Sequence, residues 1–372
     1  MSTILKIVHV VVAGQIGGAE RFLTDLATRA DRSGADHGIA LMTPSDKLRD
    51  FFRDAGLSIH DRGPVHENPL AYLWRSWGPR DIAWLGEVIA KEQADILHCH
   101  TYGSHVLATR AGQRFHRPVI RTEHGVRHYR DPSCALFRHR ALRNTTRIVA
   151  VSDFVARTIV SLAPEAEGKI SVVHNGTDLS HFTPQTPVTE TPFRVAVISR
   201  LEPIKRLHLA IEALTQAPQV QLTIAGDGAE RSRLEQLTQE YGVTSRVQFL
   251  GHLNDPRPVI ADCHAVLNCT QEEGLSLSLL EAAAMARPAL AFASGGIPEV
   301  VVDGKTGWLT CDETASGLAV LLNKASADPA QMAVFGQAAR KMAEAGFGID
   351  TMCEAYGAVY RDVLSEHALA GR

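Results

Sequence analysis

Short apolar runs with strand character alternate with helical patterns along this chain, and the alternation starts twice. In the first half the strand-like runs cover residues 4–13, 38–43, 95–100, 118–123, 146–151 and 169–174. Helical patterns such as 20–30, 103–115 and 152–162 separate them. The runs are β-branched and apolar on both faces, which marks a parallel sheet covered by helices on both sides. The periodicity stops over 178–192, where Pro184, Pro187 and Pro192 stand among threonines. Such a stretch reads as a connection. Strand-like runs resume at 193–199, 221–226, 247–251, 265–270 and 289–293, with helical patterns at 207–215, 229–242, 277–286 and from 329 onward. Two doubly wound α/β domains follow. The expected division is 1–184, a linker over 185–192, a second domain over 193–350, and a C-terminal helix over 351–372 that packs back towards the N-terminal domain. Ligands of such sheets bind beyond the carboxyl ends of the strands, so two facing domains are expected to hold an interdomain cleft.

Composition narrows the function classes. The 372 residues suffice for two ordinary domains. A net charge of -3 gives no overall field that would gather nucleic acid. Cys99, Cys134, Cys263, Cys269, Cys311 and Cys353 are scattered without a CxxC, so neither a zinc cage nor a disulfide framework is expected, and a reducing cytoplasm is the natural compartment. Residues 1–14 lack a basic leader and a small-residue cleavage site and read as a first strand. No apolar stretch approaches the roughly 20 residues of a spanning helix. Nor does either domain carry a dinucleotide fingerprint. The first βα turn is Gly14-Gln15-Ile16-Gly17-Gly18-Ala19-Glu20, and the second domain offers Gly226-Asp227-Gly228-Ala229-Glu230.

The chemistry concentrates in two segments of the second half. Glu273 and Glu281 bracket a run whose Leu277, Leu280 and Ala284 fall on one helical face, so Gly274 is expected to open a helix there. Backbone N–H groups at such an end favour an anion. A glutamate at each end can accept hydrogen bonds from ligand hydroxyls, and hydroxyls plus phosphates describe a sugar nucleotide. Eight helical steps set the two acids roughly 12 Å apart. That is wider than the ~5–9.5 Å of a hydrolytic carboxylate pair and suits gripping two parts of one ligand. Arg200 and Lys205 follow the first strand of the second domain, where they can meet a diphosphate.

Taken together, these segments resemble the retaining, two-domain glycosyltransferases of family 4 (glycosyl transferases group 1), whose architecture is GT-B. The resemblance runs through Gly17-Gly18-Ala19-Glu20-Arg21, Arg121-Thr122-Glu123-His124-Gly125, Ala150-Val151-Ser152 and His174-Asn175-Gly176-Thr177-Asp178 with Phe182. It continues through Ser199-Arg200-Leu201 with Lys205, Ala225-Gly226-Asp227-Gly228, Phe249-Leu250-Gly251, the stretch from Glu273 to Glu281, and Gly295-Gly296-Ile297-Pro298-Glu299. The last two match in both order and spacing.

The resemblance implies a GT-B fold of two Rossmann-like domains and the transfer of a sugar from a nucleoside diphosphate, such as UDP, to an acceptor hydroxyl with retention. It implies that Arg200 and Lys205 clamp the diphosphate, that Glu281 binds the ribose and that Glu273 holds donor-sugar hydroxyls. The backbone of Gly274, Leu275 and Ser276 is expected to touch sugar or phosphate, Gly18 to approach the phosphates, and Gly251 to frame the base. His124 takes an assisting catalytic role near the sugar. Two departures stand out. Leu275-Ser276 replaces the common Phe-Gly after the first Glu-Gly, and Ala286 stands where a helix-ending glycine is frequent.

No cofactor is expected beyond the sugar-nucleotide substrate. The chain has no Asp-x-Asp, and cationic side chains cover the diphosphate, so no metal is expected. His98 and His100 share a strand face but show no third partner at metal spacing. Two features bear on the acceptor. Trp74, Trp77 and Trp84 cluster near Tyr72 and Leu73, and residues 110–147 carry ten arginines against Glu123 and Asp131. Aromatics beside cationic surface suit a bilayer headgroup zone or an anionic soluble acceptor. A lipid-linked saccharide of bacterial surface polysaccharide synthesis, reached from the cytoplasm with peripheral membrane contact, is the leading expectation; a small-molecule natural product is second. A sugar-nucleotide 2-epimerase of the same fold and a non-catalytic sugar-nucleotide-binding subunit are the rival classes. Nucleic acid is not an expected partner, because no recognition motif accompanies the arginines.

Overall fold

A computed structural model describes residues 4–63 and 78–370 of the chain. It divides into two compact units, Met1–Asn175 with Ile349–Arg372, and Gly176–Gly348. Trp74, Trp77, Tyr72 and Leu73 lie outside the described residues; Trp84 is described and half-buried.

The first unit is built on a seven-stranded parallel sheet: β1 (Leu5–Val12), β2 (Ala35–Met42), β3 (Ser58–Asp61), β4 (Ile96–Cys99), β5 (Val119–Glu123), β6 (Arg147–Ala150) and β7 (Ile170–Val172). Their spatial order is β3-β2-β1-β4-β5-β6-β7. The second unit has six parallel strands: β8 (Phe193–Ile198), β9 (Val220–Ala225), β10 (Val247–Gly251), β11 (Ala265–Asn268), β12 (Ala289–Phe292) and β13 (Gly307–Thr310). Their order is β10-β9-β8-β11-β12-β13. Both sheets are doubly wound, as the alternation in the sequence requires.

The strands read from the sequence all form, and two edge strands join them. β3 is Ser-Ile-His-Asp, four residues too polar to show a period. β13 begins at Gly307, where a Cβ would lie 2.2 Å from the Ala289 carbonyl oxygen, so glycine admits the close pairing with β12. The unit boundary falls between Asn175 and Gly176, ahead of the 185–192 segment read as the linker. That segment is tied into the second unit. Gln185 N–H donates to the Met285 carbonyl at 3.1 Å, and Arg287 donates to the Gln185 and Thr186 carbonyls at 3.3 and 2.8 Å. Proline content signalled irregular backbone and not a free connection.

Each face of the first sheet has its own core. Val8, Val10, Leu97 and Val119 pack with Ile82, Leu85 and Leu107 on one side. On the other, Ile7, Ile96, Ile120 and Val149 pack with Phe22 and with Met352, Tyr356, Tyr360 and Val363 of the Ile349–Ala370 helix. One face of the second sheet packs a core that runs from Val195 and Leu222 to Leu318 and Phe335. No helix among the described residues is long and apolar enough to cross a membrane.

Candidate functional site

In a doubly wound sheet, crossovers leave adjacent strands towards opposite faces at the switch point, which opens a crevice beyond the strand ends. In the second unit that point lies between β8 and β11. The loop leaving β8 carries Arg200 and Lys205; the loop leaving β11 carries Glu273 and Gly274. Lys205 Nζ meets Glu273 Oε2 at 2.9 Å, with the two side chains 19% and 18% exposed. The loops are also joined through backbone. Gln271 N–H donates to the Ile204 carbonyl at 3.0 Å, and the Cys269 thiol to the Lys205 carbonyl at 3.1 Å. Residues 68 positions apart in sequence thus form one cation–carboxylate pair at the switch point.

Arg200 is placed differently. Its guanidinium pairs with Glu202 at 2.7 Å and stays 54% exposed. The structure therefore brings Lys205 to Glu273, while Arg200 reaches the neighbouring Glu202. Glu281 sits half-buried in the Leu277–Ala284 helix.

That helix starts at Leu277, where the helical pattern placed it, and not at Gly274, the residue expected to open it. Its cap is Ser276, and its first internal bond runs from Leu280 N–H to the Ser276 carbonyl at 3.2 Å. Gly274, Leu275 and Ser276 form the buried approach to the helix. The reason lies in a residue the sequence reading passed over. Buried Asn268, the last residue of β11, donates to Ser276 Oγ at 3.1 Å and accepts from Thr270 N–H at 2.9 Å. It staples both ends of the loop, and a wound helical turn at Gly274 would break that bracket. The N–H groups that a helix leaves without internal partners lie at this end.

Glycines let backbones close around the loop. Gly295 has φ +64°, and a Cβ there would stand 2.2 Å from the Glu273 carbonyl oxygen; Gly296 N–H donates to that same oxygen at 2.8 Å. The Gly295-Gly296 turn is therefore a backbone brace under Glu273. Replacing Gly295 with alanine is expected to combine ~1–2 kcal/mol of left-handed strain with the clash, and to displace Glu273. Gly304→Ala, at φ +69° with nothing within 4 Å, carries strain alone and serves as the control. Thermal melts should rank Gly295→Ala well below Gly304→Ala; equal melts would refute the brace. Gly226 and Gly228 act similarly. Cβ atoms there would lie 1.8 Å from the Ser199 and 2.5 Å from the Leu201 carbonyl oxygens. Gly251, at φ +74°, accepts from Gly226 N–H at 2.7 Å, and nearby Phe249 carries the Arg231 guanidinium 5.0 Å from its ring centre.

In the first unit the switch point lies between β1 and β4. Gly17 caps the Gly18–Ala27 helix that follows β1, and its N–H donates to Glu20 Oε2 at 2.9 Å, so Gly18 is the first helical residue. His124 follows β5. Strand alternation splits its motif between faces. Arg121 and Glu123 turn to one side and pair at 2.7 Å, with 3% and 1% of their side chains exposed. Thr122 turns to the other, where its hydroxyl bonds His98 Nε2 at 2.8 Å and Tyr356 OH at 3.0 Å. Burial outweighs all other influences on His124 and, with Arg121 nearby, lowers its pKa to about 4, so the ring is neutral at pH 7.

His98 and His100 do gain a third histidine, His9 of the adjoining strand, paired in register with His98. Yet each ring nitrogen of the three already has a hydrogen-bond partner. Burial holds His37 at about 4, as it does His124, and holds His9, His98 and His100 well below the ordinary range. Folding thus favours the neutral form. The associated stability is full above the unfolded value of about 6.5 and is lost as pH falls towards about 4, each extra proton steepening the decline by ~1.4 kcal/mol per pH unit. Calorimetry should show the first unit melting markedly lower at pH 5 than at pH 7.5; identical melting at both values would contradict neutral burial.

The arginine run is less of a surface than its composition implied. Arg121 and Arg138 are buried, and Arg147 pairs with Glu366. Arg114, Arg117, Arg127, Arg130, Arg140 and Arg143 are exposed.

Comparison with known proteins covers both units. Residues 181–342 match the family described as glycosyl transferases group 1, and residues 16–181 match glycosyltransferase family 4. The chain is 28% identical over 312 residues to the D-inositol 3-phosphate glycosyltransferase of Mycobacterium avium (strain 104), covering 75% of this chain and 72% of the relative. Among solved structures, Anabaena HepE in complex with UDP-glucose superposes with a TM-score of 0.80 at 23% identity, covering 96% of this chain and all of HepE. Sucrose-phosphate synthase from Thermosynechococcus elongatus gives 0.82 at 21% identity, covering 97% and 100%.

Proposed function

Since the chain belongs to the group 1/family 4 glycosyltransferases and has their GT-B fold, we propose that it moves a sugar from a nucleoside diphosphate to an acceptor hydroxyl, with retention and without a metal ion. The observation that carries this reading is the Lys205–Glu273 pair across the β8 and β11 loops. In this reading the transition state is oxocarbenium-like and negative charge grows on the leaving phosphate. Lys205 stabilises that charge, aided by Arg200 and by the backbone N–H groups from Gly274 through Ser276. Glu273 trades its lysine contact for donor-sugar hydroxyls, Glu281 holds the ribose, and Gly251 frames the base. Gly18 and His124, from the first unit, enter on the family resemblance. The UDP-glucose held by HepE supports a sugar-nucleotide donor.

A thermal-shift panel of UDP-, GDP- and ADP-sugars tests the donor. A ligand at 100 times its dissociation constant adds about 2.7 kcal/mol, and no shift with any member would refute the reading. Release of nucleoside diphosphate only when acceptor is present separates transfer from 2-epimerisation. The six exposed arginines among residues 110–147 favour an acceptor bearing phosphate or carboxylate. A lipid-linked saccharide remains the first assignment. A soluble anionic acceptor is the second, favoured by the inositol phosphate in the relative's name. Flotation with anionic vesicles at low salt discriminates them: co-flotation supports the lipid acceptor, and its absence the soluble one.

A further inference from the structure

Five buried or half-buried groups on one face of the first sheet form an unbroken hydrogen-bonded chain. Ser33 Oγ meets His37 Nε2 at 3.0 Å, and His37 Nδ1 meets His9 Nε2 at 2.8 Å. His9 Nδ1 meets His100 Nε2 at 3.0 Å, and His100 Nδ1 meets His124 Nε2 at 3.4 Å. The His9 ring stacks on those of His37 and His100, and the His100 ring on that of His124. Ser33, His9 and His100 are buried, and His37 is nearly so; His124, half-buried, is the open end. Among the described residues no group bonds its Nδ1.

A neutral imidazole has one donor nitrogen and one acceptor nitrogen. Each N···N link holds a single hydrogen, so every ring in the chain must point the same way. Only two arrangements exist. In one, donors run from Ser33 to His124, and His124 shows an N–H at Nδ1. In the other, donors run from His124 to Ser33, and His124 shows a lone pair at Nδ1. The Ser33 end decides between them. Its hydroxyl has backbone acceptors of its own, the Ala35 carbonyl at 3.4 Å and the Ala30 carbonyl at 3.5 Å. Donating there leaves Oγ free to accept from His37 Nε2–H. The second arrangement therefore satisfies one more hydrogen than the first.

We propose that Ser33, His37, His9 and His100 are positioning residues that lock His124 in its Nε2–H tautomer, so that Nδ1 presents a fixed acceptor to a hydroxyl. Ser33 is fully buried, so the far end of the chain does not open to water, and the device sets polarity instead of conducting protons. That the hydroxyl belongs to sugar or acceptor rests on the transferase reading above; the tautomer does not.

The test is long-range 1H–15N correlation on protein labelled with 15N-histidine, at pH 7. His124 should show protonated Nε2 and unprotonated Nδ1, as a single species. In Ser33→Ala the His37 Nε2–H would lose its acceptor, so the chain should reverse and His124 should show protonated Nδ1. His9→Phe cuts the chain and should give a mixture at His124. If His9→Phe does not fold, the mild Ser33→Ala variant decides alone. A wild-type Nδ1–H tautomer, or a His124 pattern unchanged in Ser33→Ala, overturns the proposal. Transfer assays on Ser33→Ala then report on the role of His124 in the reaction. An altered tautomer with unaltered transfer leaves the lock standing and refutes only the placement of His124 at the reacting groups.

Discussion

Lys205→Ala should lower the transfer rate about 10²–10³-fold while leaving the melting temperature nearly unchanged. The size follows from the part assigned to the ammonium. A single preorganised donor to developing negative charge contributes about 2.7–4 kcal/mol to the transition state. Lys205 has the geometry for it. The Cys269 thiol donates to its carbonyl and Gln271 N–H to that of Ile204, so its main chain is fixed and the ammonium has only to exchange Glu273 for the phosphate. The fold depends on it far less, because a part-exposed ion pair contributes little to stability. Loss at the transition state should appear in both kcat and kcat/KM. Lys205→Arg, which keeps the charge but changes its shape, should retain part of the rate. Wild-type turnover in the alanine variant would remove the lysine from the phosphate site.

Glu123→Leu should destabilise the first unit by about 3–5 kcal/mol, the usual cost of leaving a buried charge without its partner. Arg121 has nowhere else to discharge, since its side chain is only 3% exposed. Glu123 also accepts from Tyr129 OH at 3.0 Å and has His128 Nε2 at 3.4 Å, so several donors lose one acceptor together. The double variant Arg121→Leu/Glu123→Leu should recover a large part of the loss, because no unpaired charge remains. Calorimetry that resolves the two units measures both. A single variant that melts like wild type would mean the pair is not buried as described. The sign with pH follows from the depressed carboxyl, which burial would raise but Arg121 and His128 pull well below its ordinary value. Its stabilisation is complete above the unfolded carboxylate range and fades as pH falls below about 4.

These two residues show how a motif can be legible while its division of labour is not. Arg121-Thr122-Glu123-His124 reads in sequence as one signature, but a period of two sends alternate members to opposite faces. Arg121 and Glu123 hold the fold, while Thr122 and the histidines form a polar seam beneath Tyr356 and Tyr360. His9 and His37 gave no signal of their own, the first lying inside an apolar run and the second just ahead of one. Asn268 was hidden the same way, as the last residue of a buried strand.

The order of apolar runs and helical patterns was enough to determine two doubly wound parallel sheets, because hydrophobic period is local and survives any packing. The family motifs, too, stood whole in the chain. What the sequence could not determine is which side chains meet. Lys205 finds Glu273 because β8 and β11 lie side by side at the switch point, whereas Arg200 takes Glu202 within its own loop. Five groups from four separate segments line up from Ser33 to His124 because strand register set them on one face. Register and strand order are properties of the assembled sheet, and no single segment carries them.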